Sequence, residues 1–167
     1  VKTLLRVENL VKHFPLKKKG LNRKGGIVRA VDGVSFNIFE GETLALVGES
    51  GCGKSTIGRT ILRLLEPTSG SVYFQERDLF ALKRDELRKM RKDMQIVFQD
   101  PFGSLNPSMK VKDIIAEPLV AHRIGNRVQR YRKVAELMHT VGLNEEQMER
   151  YPHEFSGGQR QRISIAR

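Results

Sequence analysis

Lys54, Ser55 and Thr56 close a glycine-rich stretch, Gly48-Glu49-Ser50-Gly51-Cys52-Gly53, and the nine residues together form a pattern suited to holding phosphate. Glycines at 48, 51 and 53 allow a backbone curl with positive φ, which turns successive N–H groups inward toward an anion. An amphipathic segment follows at 57–65, and a helix starting there adds its unsatisfied N–H groups and its dipole. Lys54 offers a mobile ammonium to β- and γ-phosphates, and Ser55 a hydroxyl to Mg²⁺. An apolar run, Thr43-Leu44-Ala45-Leu46-Val47, comes first, so strand, loop and helix follow in the order a phosphate loop needs. A chance glycine turn would lack that order. The pattern implies a nucleoside triphosphate as ligand. Cys52 within it has two readings: a thiol activated by its place before a helix, or a small residue fitted to a crowded turn.

A second motif lies at Phe155-Ser156-Gly157-Gly158-Gln159-Arg160-Gln161-Arg162. Ser156 and Gln159 have the S-x-x-Q spacing of a capping box, which predicts a helix starting at Ser156 and running on through Ile163 and Ile165. Two glycines in its first turn cost helix stability, so the backbone there is being kept clear. Taken alone, this is equally a glycine-rich capped helix start or a bare helix N-terminus open to an anion.

The elements that must position these motifs alternate between strand and helix. Residues 3–10 and 31–39 read as strands, the second with Val34, Phe36 and Ile38 alternating with Ser35 and Asn37. Glu40-Gly41 makes a turn, and 43–47 reads as a strand covered on both faces. The helix after the loop would place Ile57, Ile61, Leu64 and Leu65 on one stripe. Residues 71–74 form another strand, 83–92 a polar helix and 94–98 a buried strand. Beyond Gln99, Asp100-Pro101-Phe102-Gly103-Ser104-Leu105-Asn106-Pro107 reads as a loop. Val128, Tyr131, Val134, Ala135, Met138 and Val141 then recur at helical spacing. The division expected is 1–98 for a nucleotide-binding core with an antiparallel part, 99–155 for a helical subdomain and 156–167 for the second motif and its helix.

Composition fits a globular chain: 39% hydrophobic and 29% charged over 167 residues, with no apolar run long enough to cross a bilayer. Residues 1–6 lack the apolar stretch of a signal peptide, and one cysteine excludes an intrachain disulfide framework, so the cytosol is the expected compartment. The net charge of +11 is concentrated in the acid-free insertion 17–29. That insertion is read either as a solvated connection between two strands or as a contact for nucleic acid or anionic lipid. No aromatic residue interrupts it, which argues against base stacking.

The phosphate loop at 48–56, Gln99 in Ile96-Val97-Phe98-Gln99-Asp100-Pro101, and Ser156-Gly157-Gly158-Gln159 stand in an order that resembles the ATP-binding subunit of an ABC transporter. The likeness covers nearly the whole chain. It implies an α/β fold, a P-loop NTPase core of the ABC ATPase type with an N-terminal antiparallel β part and an inserted helical subdomain. Leu5-Arg6-Val7-Glu8-Asn9-Leu10-Val11-Lys12-His13-Phe14 looks like the family's first strand and the start of its aromatic loop, with Phe14 stacking on adenine. Residues 99–107 and the basic insertion are similar to importers of dipeptides and oligopeptides. By resemblance, Gly48, Glu49, Ser50, Gly51, Cys52, Gly53, Lys54, Ser55 and Thr56 hold ATP, and Ser55 and Gln99 serve Mg²⁺. Gln99 also reaches the attacking water, and Ser156, Gly157, Gly158 and Gln159 meet the ATP held by a second subunit. The partners implied are a second ABC ATPase, expected to differ from this chain, membrane-spanning permease subunits and, indirectly, a substrate-binding protein. The place implied is the cytoplasmic face of the membrane.

The family pattern goes on to an apolar strand ending in Asp-Glu and then a switch histidine. Neither occurs here: Glu66 and Asp100 precede the second motif, as do His122, His139 and His153. With no acid to position water, residues 1–167 are expected to bind ATP but hydrolyse it poorly, as a fragment of a longer ATPase whose core sheet is incomplete in this chain. Two alternatives are a DNA-maintenance ATPase with the same nucleotide head and a non-hydrolytic nucleotide-binding module. The first lacks the long coiled-coil or zinc-bearing insertion it would need, so nucleic acid is not an expected partner.

Overall fold

The computed structural model describes residues 2–16, 26–98 and 100–167, with backbone only for Pro101 and Phe102. Gln99 and most of the basic insertion lie outside the described residues. The chain divides into two compact units, Val1–Met94 and Gln95–Arg167.

The first unit is built on an antiparallel sheet with strand order β2-β1-β3-β4. Strands β1 (Thr3–Pro15) and β2 (Ile27–Phe39) form a long hairpin, β3 (Ser69–Phe74) pairs with the other edge of β1, and β4 (Arg77–Asp78) closes the sheet. Both hairpin strands are longer than the sequence reading expected, because pairing continues through Phe14↔Val28 to Pro15↔Ile27. Alternation buries Leu5 and Val7, yet the next buried residue is Leu10 rather than Asn9. A bulge corrects the parity. Asn9 takes φ 46, its N–H donates to Ser35 Oγ at 2.8 Å, and the register with both neighbouring strands shifts there. Gly70 faces this bulge at φ +94, where a Cβ would lie 2.4 Å from the Asn9 carbonyl oxygen; only glycine permits so close an approach. Leu5, Val7, Leu10, Val31, Val72 and Phe74 bury one face of the sheet, joined by Ile57 from the first helix and by Leu79 and Met90.

Helix α1 (Lys54–Ile61) is shorter than the stripe 57–65 implied. It ends because Arg63 adopts φ 51, with the N–H groups of Leu64 and Leu65 turned back onto the Arg59 carbonyl at 2.8 and 3.2 Å. The Arg63 guanidinium donates to the carbonyls of Leu79 and Leu82, which holds that unusual backbone in place. Leu64 is consequently exposed. Helix α2 (Arg84–Met90) lies within the polar segment expected to be helical.

Two expected strands are not formed. Residues 43–47 have no strand pairing, and Val47 is 93% exposed; residues 94–98 are likewise unpaired, with Val97 exposed. A strand exists only through a neighbour that takes its N–H and C=O groups, and no described segment does so here.

The second unit is helical. The expected loop at 100–107 contains a single helical turn, α3 (Pro101–Ser104), followed by α4 (Val111–Ala121), α5 (Arg127–Thr140) and α6 (Gly157–Ala166). Val111, Ile114, Ile115, Val134, Met138, Phe155 and Ile163 form its core. Val134 and Met138 point inward as their spacing predicts. Val128 does not: it is 71% exposed in the first turn of α5.

Glu149 ends a 3-10 turn (Glu145–Glu149) and accepts hydrogen bonds from Lys110, at 2.8 Å, and from Lys112, tying that turn to the start of α4. Hydrogen bonds from Lys110 and Lys112 hold its carboxyl down to about 2 from the ordinary 4.5. A carboxyl lowered on folding stabilises the fold fully above about pH 4.5 and loses that contribution as pH falls toward 2. The pair is exposed, so the effect is modest. Thermal unfolding of wild type and Glu149→Gln should differ most above pH 5, and the difference should shrink as pH falls through about 2; a constant difference would exclude this titration.

Candidate functional site

The phosphate loop starts from a backbone that the glycines make possible. Gly51 has φ 85 and Gly53 φ 99, and the Cys52 N–H closes a turn onto the Glu49 carbonyl at 3.3 Å. Gly53 is the N-cap of α1 and bears no side chain to cap it, while the Ile57 N–H takes its carbonyl at 2.9 Å to begin the helix. Among the described residues no side chain caps the helix start, which leaves its first N–H groups available to an anion. Gly53 is also buried against β2, where a Cβ would meet the Ala30 carbonyl oxygen at 2.1 Å. That contact fixes where the helix begins. Ala30 is a positioning element that sequence reasoning missed, because only the fold brings the hairpin against the loop.

Lys54 is folded back into the loop. Its ammonium donates to the carbonyls of Gly48 and Glu49, both at 2.7 Å, and to Cys52 Sγ at 3.4 Å. Cys52 and Ser55 are exposed, and Thr56 is half-buried, with its carbonyl accepting from the fully buried Thr60 hydroxyl at 2.7 Å. A mobile cation, a bare helix start and an exposed hydroxyl make a donor set suited to a phosphate chain with its Mg²⁺. A bound phosphate would exchange the two carbonyls for its own oxygens at the Lys54 ammonium. Phe14 stands in β1, half-buried, with Lys12 Nζ 4.8 Å from its ring centroid on one face. Gln99, expected to serve the metal, is outside the described residues.

In the second unit the capping box forms as its spacing predicts. Ser156 Oγ accepts from the Gln159 N–H at 3.3 Å, and Gln159 Oε1 accepts from the Ser156 N–H at 3.0 Å. The Gln159 carbonyl oxygen is thus committed to the fold. Ser156, Gly157 and Gly158 are exposed, and a Cβ on Gly158 would meet nothing within 4 Å. Packing among the described residues gives no reason for glycine at 158. Phe155 is buried beneath the motif, and the Arg160 guanidinium donates to the carbonyls of Phe155, at 3.0 Å, and His153, at 3.3 Å. Arg160 therefore holds the approach to Ser156, a role its position after Gln159 did not disclose. Among the described residues no helix is long and apolar enough to cross a membrane.

The family model described as "ABC transporter" matches residues 31–167. The chain is 52% identical over 166 residues to the oligopeptide transport ATP-binding protein AppF of Bacillus subtilis (strain 168), covering 99% of this chain and 50% of that protein. It is also 52% identical to the dipeptide transport ATP-binding protein DppF of Escherichia coli (strain K12), over 98% of this chain and 49% of that protein. The chain thus spans about half the length of the curated relatives it matches. Among solved structures it is similar to the ATP-binding cassette MJ0796, described as a dimer in a post-hydrolysis state bound to ADP and Pi. The TM-score is 0.81 and the identity 33%, over 97% of this chain and 67% of that one. The α/β fold expected from sequence, with an antiparallel β part and a helical part, is the fold found.

Proposed function

The chain belongs to the ABC transporter family, and on that premise we propose that it is the ATP-binding, energy-coupling part of an importer of dipeptides or oligopeptides. The observation that carries the nucleotide reading is the uncapped start of α1 with the Lys54 ammonium lodged in the loop beside it. Peptide transport rests on relatives whose names describe oligopeptide and dipeptide transport.

In this reading MgATP lies along residues 48–56, with Lys54 on the β- and γ-phosphates and Ser55 on the metal. Adenine takes the face of Phe14 that Lys12 leaves open, and Gln99 completes the metal and water shell. Bound Mg²⁺ neutralises phosphate charge; the chain's own residues cradle and orient the triphosphate. Ser156, Gly157 and Gly158 meet the γ-phosphate held by a second, related subunit, and permease subunits keep the assembly on the cytoplasmic face of the membrane. Residues 157–167 contain no acid that could activate the attacking water within this segment. Purified residues 1–167 should therefore retain bound ATP intact through hours of incubation, and steady phosphate release would contradict this.

Gly158→Ala tests the second half of the reading. The added methyl meets open space in the free chain, so the unfolding midpoint should stay the same or rise slightly. ATP-dependent association, followed by sedimentation, should weaken about tenfold or more if a γ-phosphate must approach that backbone. Unchanged association would remove Gly158 from the site.

A further inference from the structure

Strand β1 carries a lysine where its alternation calls for an apolar side chain. Beyond the bulge at Asn9, Leu10, Lys12 and Phe14 share one side of the strand by their spacing of two, and Leu10 is fully buried there. Lys12 stands opposite Val31, which is also buried, and Phe14 stands opposite Val28. A half-buried lysine in such a place is costly unless its ammonium finds a partner. Among the described residues the lysines in salt bridges are Lys2, Lys110, Lys112 and Lys133, and Lys12 is in no such pair. Its ammonium has a ring instead: Nζ lies 4.8 Å from the Phe14 ring centroid, close enough to be held by the negative face of the aromatic.

The pair lies beside the part of the hairpin that meets the phosphate loop. A Cβ on Gly53 would meet not only the Ala30 carbonyl oxygen but, at 3.9 Å, Cγ2 of Val31, the residue across from Lys12. Phe14 and the loop therefore border the same stretch of β2, residues 28–31. A ring with a cation on one face differs from a bare ring in two ways. The ammonium keeps a base off that face. It also draws π density toward itself, so the opposite face repels the π cloud of a second ring less.

We infer that Lys12 is a positioning residue for the nucleotide base, acting through the charge it places on one face of Phe14 to strengthen the stacking of adenine on the other. The inference rests on the reading of Phe14 as the adenine platform, and adds that the platform is a two-residue device. Two simpler roles make different demands on the side chain. An apolar stem packed along the ring would need no charge. A direct contact with phosphate would need no ring.

Equilibrium affinities separate these roles. Lys12→Met keeps an unbranched apolar stem and loses the charge; it should weaken MgATP binding about three- to fivefold, while Lys12→Arg should stay within about twofold of wild type. Magnesium tripolyphosphate, which has no base, should bind wild type and Lys12→Met equally. In a Phe14→Leu background Lys12→Met should cost nothing further, as expected of two residues that act as one. The chain has no tryptophan, so Phe14→Trp carries a single indole at the platform, which stacked adenine should quench and tripolyphosphate should not. Quenching by ATP together with unchanged MgATP affinity in Lys12→Met would overturn the role of Lys12 and leave the Phe14 reading standing. ATP binding without quenching would remove Phe14 from the site, and Lys12 with it. Equal losses for MgATP and tripolyphosphate, or an undiminished effect of Lys12→Met in the Phe14→Leu background, would assign the charge to the phosphates and also overturn the inference.

Discussion

Gly53→Ala is expected to destabilise the first unit by about 3 kcal/mol or more and to abolish nucleotide binding with it. Two separate costs meet at this residue. Its φ of 99 is a conformation that side-chain-bearing residues adopt only with strain. Its Cβ would also lie 2.1 Å from the Ala30 carbonyl oxygen, a backbone atom in β2 that cannot rotate away. Relief requires α1 to move off the hairpin, carrying the loop with it. Gly51→Ala isolates the first cost, since Gly51 has φ +85 but nothing within 4 Å of an added Cβ. It should lose only about 1–2 kcal/mol. Urea unfolding followed by circular dichroism compares the two. Equal losses would mean that the contact with Ala30 does not set the helix start.

Lys54→Ala carries the second large effect, on binding rather than folding. The ammonium's bonds in the free chain go to two carbonyls of an exposed loop, so stability should change little. With MgATP the same ammonium would make charge-assisted bonds to phosphate oxygens, worth about 2–3 kcal/mol, and its removal should weaken binding roughly 30- to 150-fold. Lys54→Gln, which keeps a donor on a chain one bond shorter but not the charge, should fall between. Affinities within threefold of wild type in both variants would place the phosphates elsewhere.

What the residue pattern disclosed in advance divides by how local the controlling physics is. The capping box at Ser156 and Gln159 formed as read, because a reciprocal pair of bonds over three residues needs nothing from elsewhere. A helix after the glycine loop was readable too, but its start at Lys54, set by the contact of Gly53 with Ala30, was not. Nor was its end, since Arg63 at positive φ depends on the carbonyls of Leu79 and Leu82, which only the fold brings to it. Residues 43–47 and 94–98 have the composition of buried strands, but a strand is a property of two chains of backbone, and no described segment pairs with either. Periodicity placed Val128 on the core stripe with Val134 and Met138, whereas the first turn of α5 runs out past the core into a corner. Asn9 and Gly70 set the hairpin register through a bulge that no run of alternating residues announces. The phosphate-loop residues were legible as a donor set; the back-folded Lys54 and the Ala30 contact that anchors them were not.

The most direct test of the nucleotide-binding claim is an equilibrium titration of MgATP into residues 1–167, read by calorimetry alongside Lys54→Ala. The account predicts one saturable site per chain, competed by ADP, with the bound ATP recovered unhydrolysed and affinity falling at least 30-fold in the variant. No saturable binding by the folded wild-type chain, or equal binding by the variant, would contradict it.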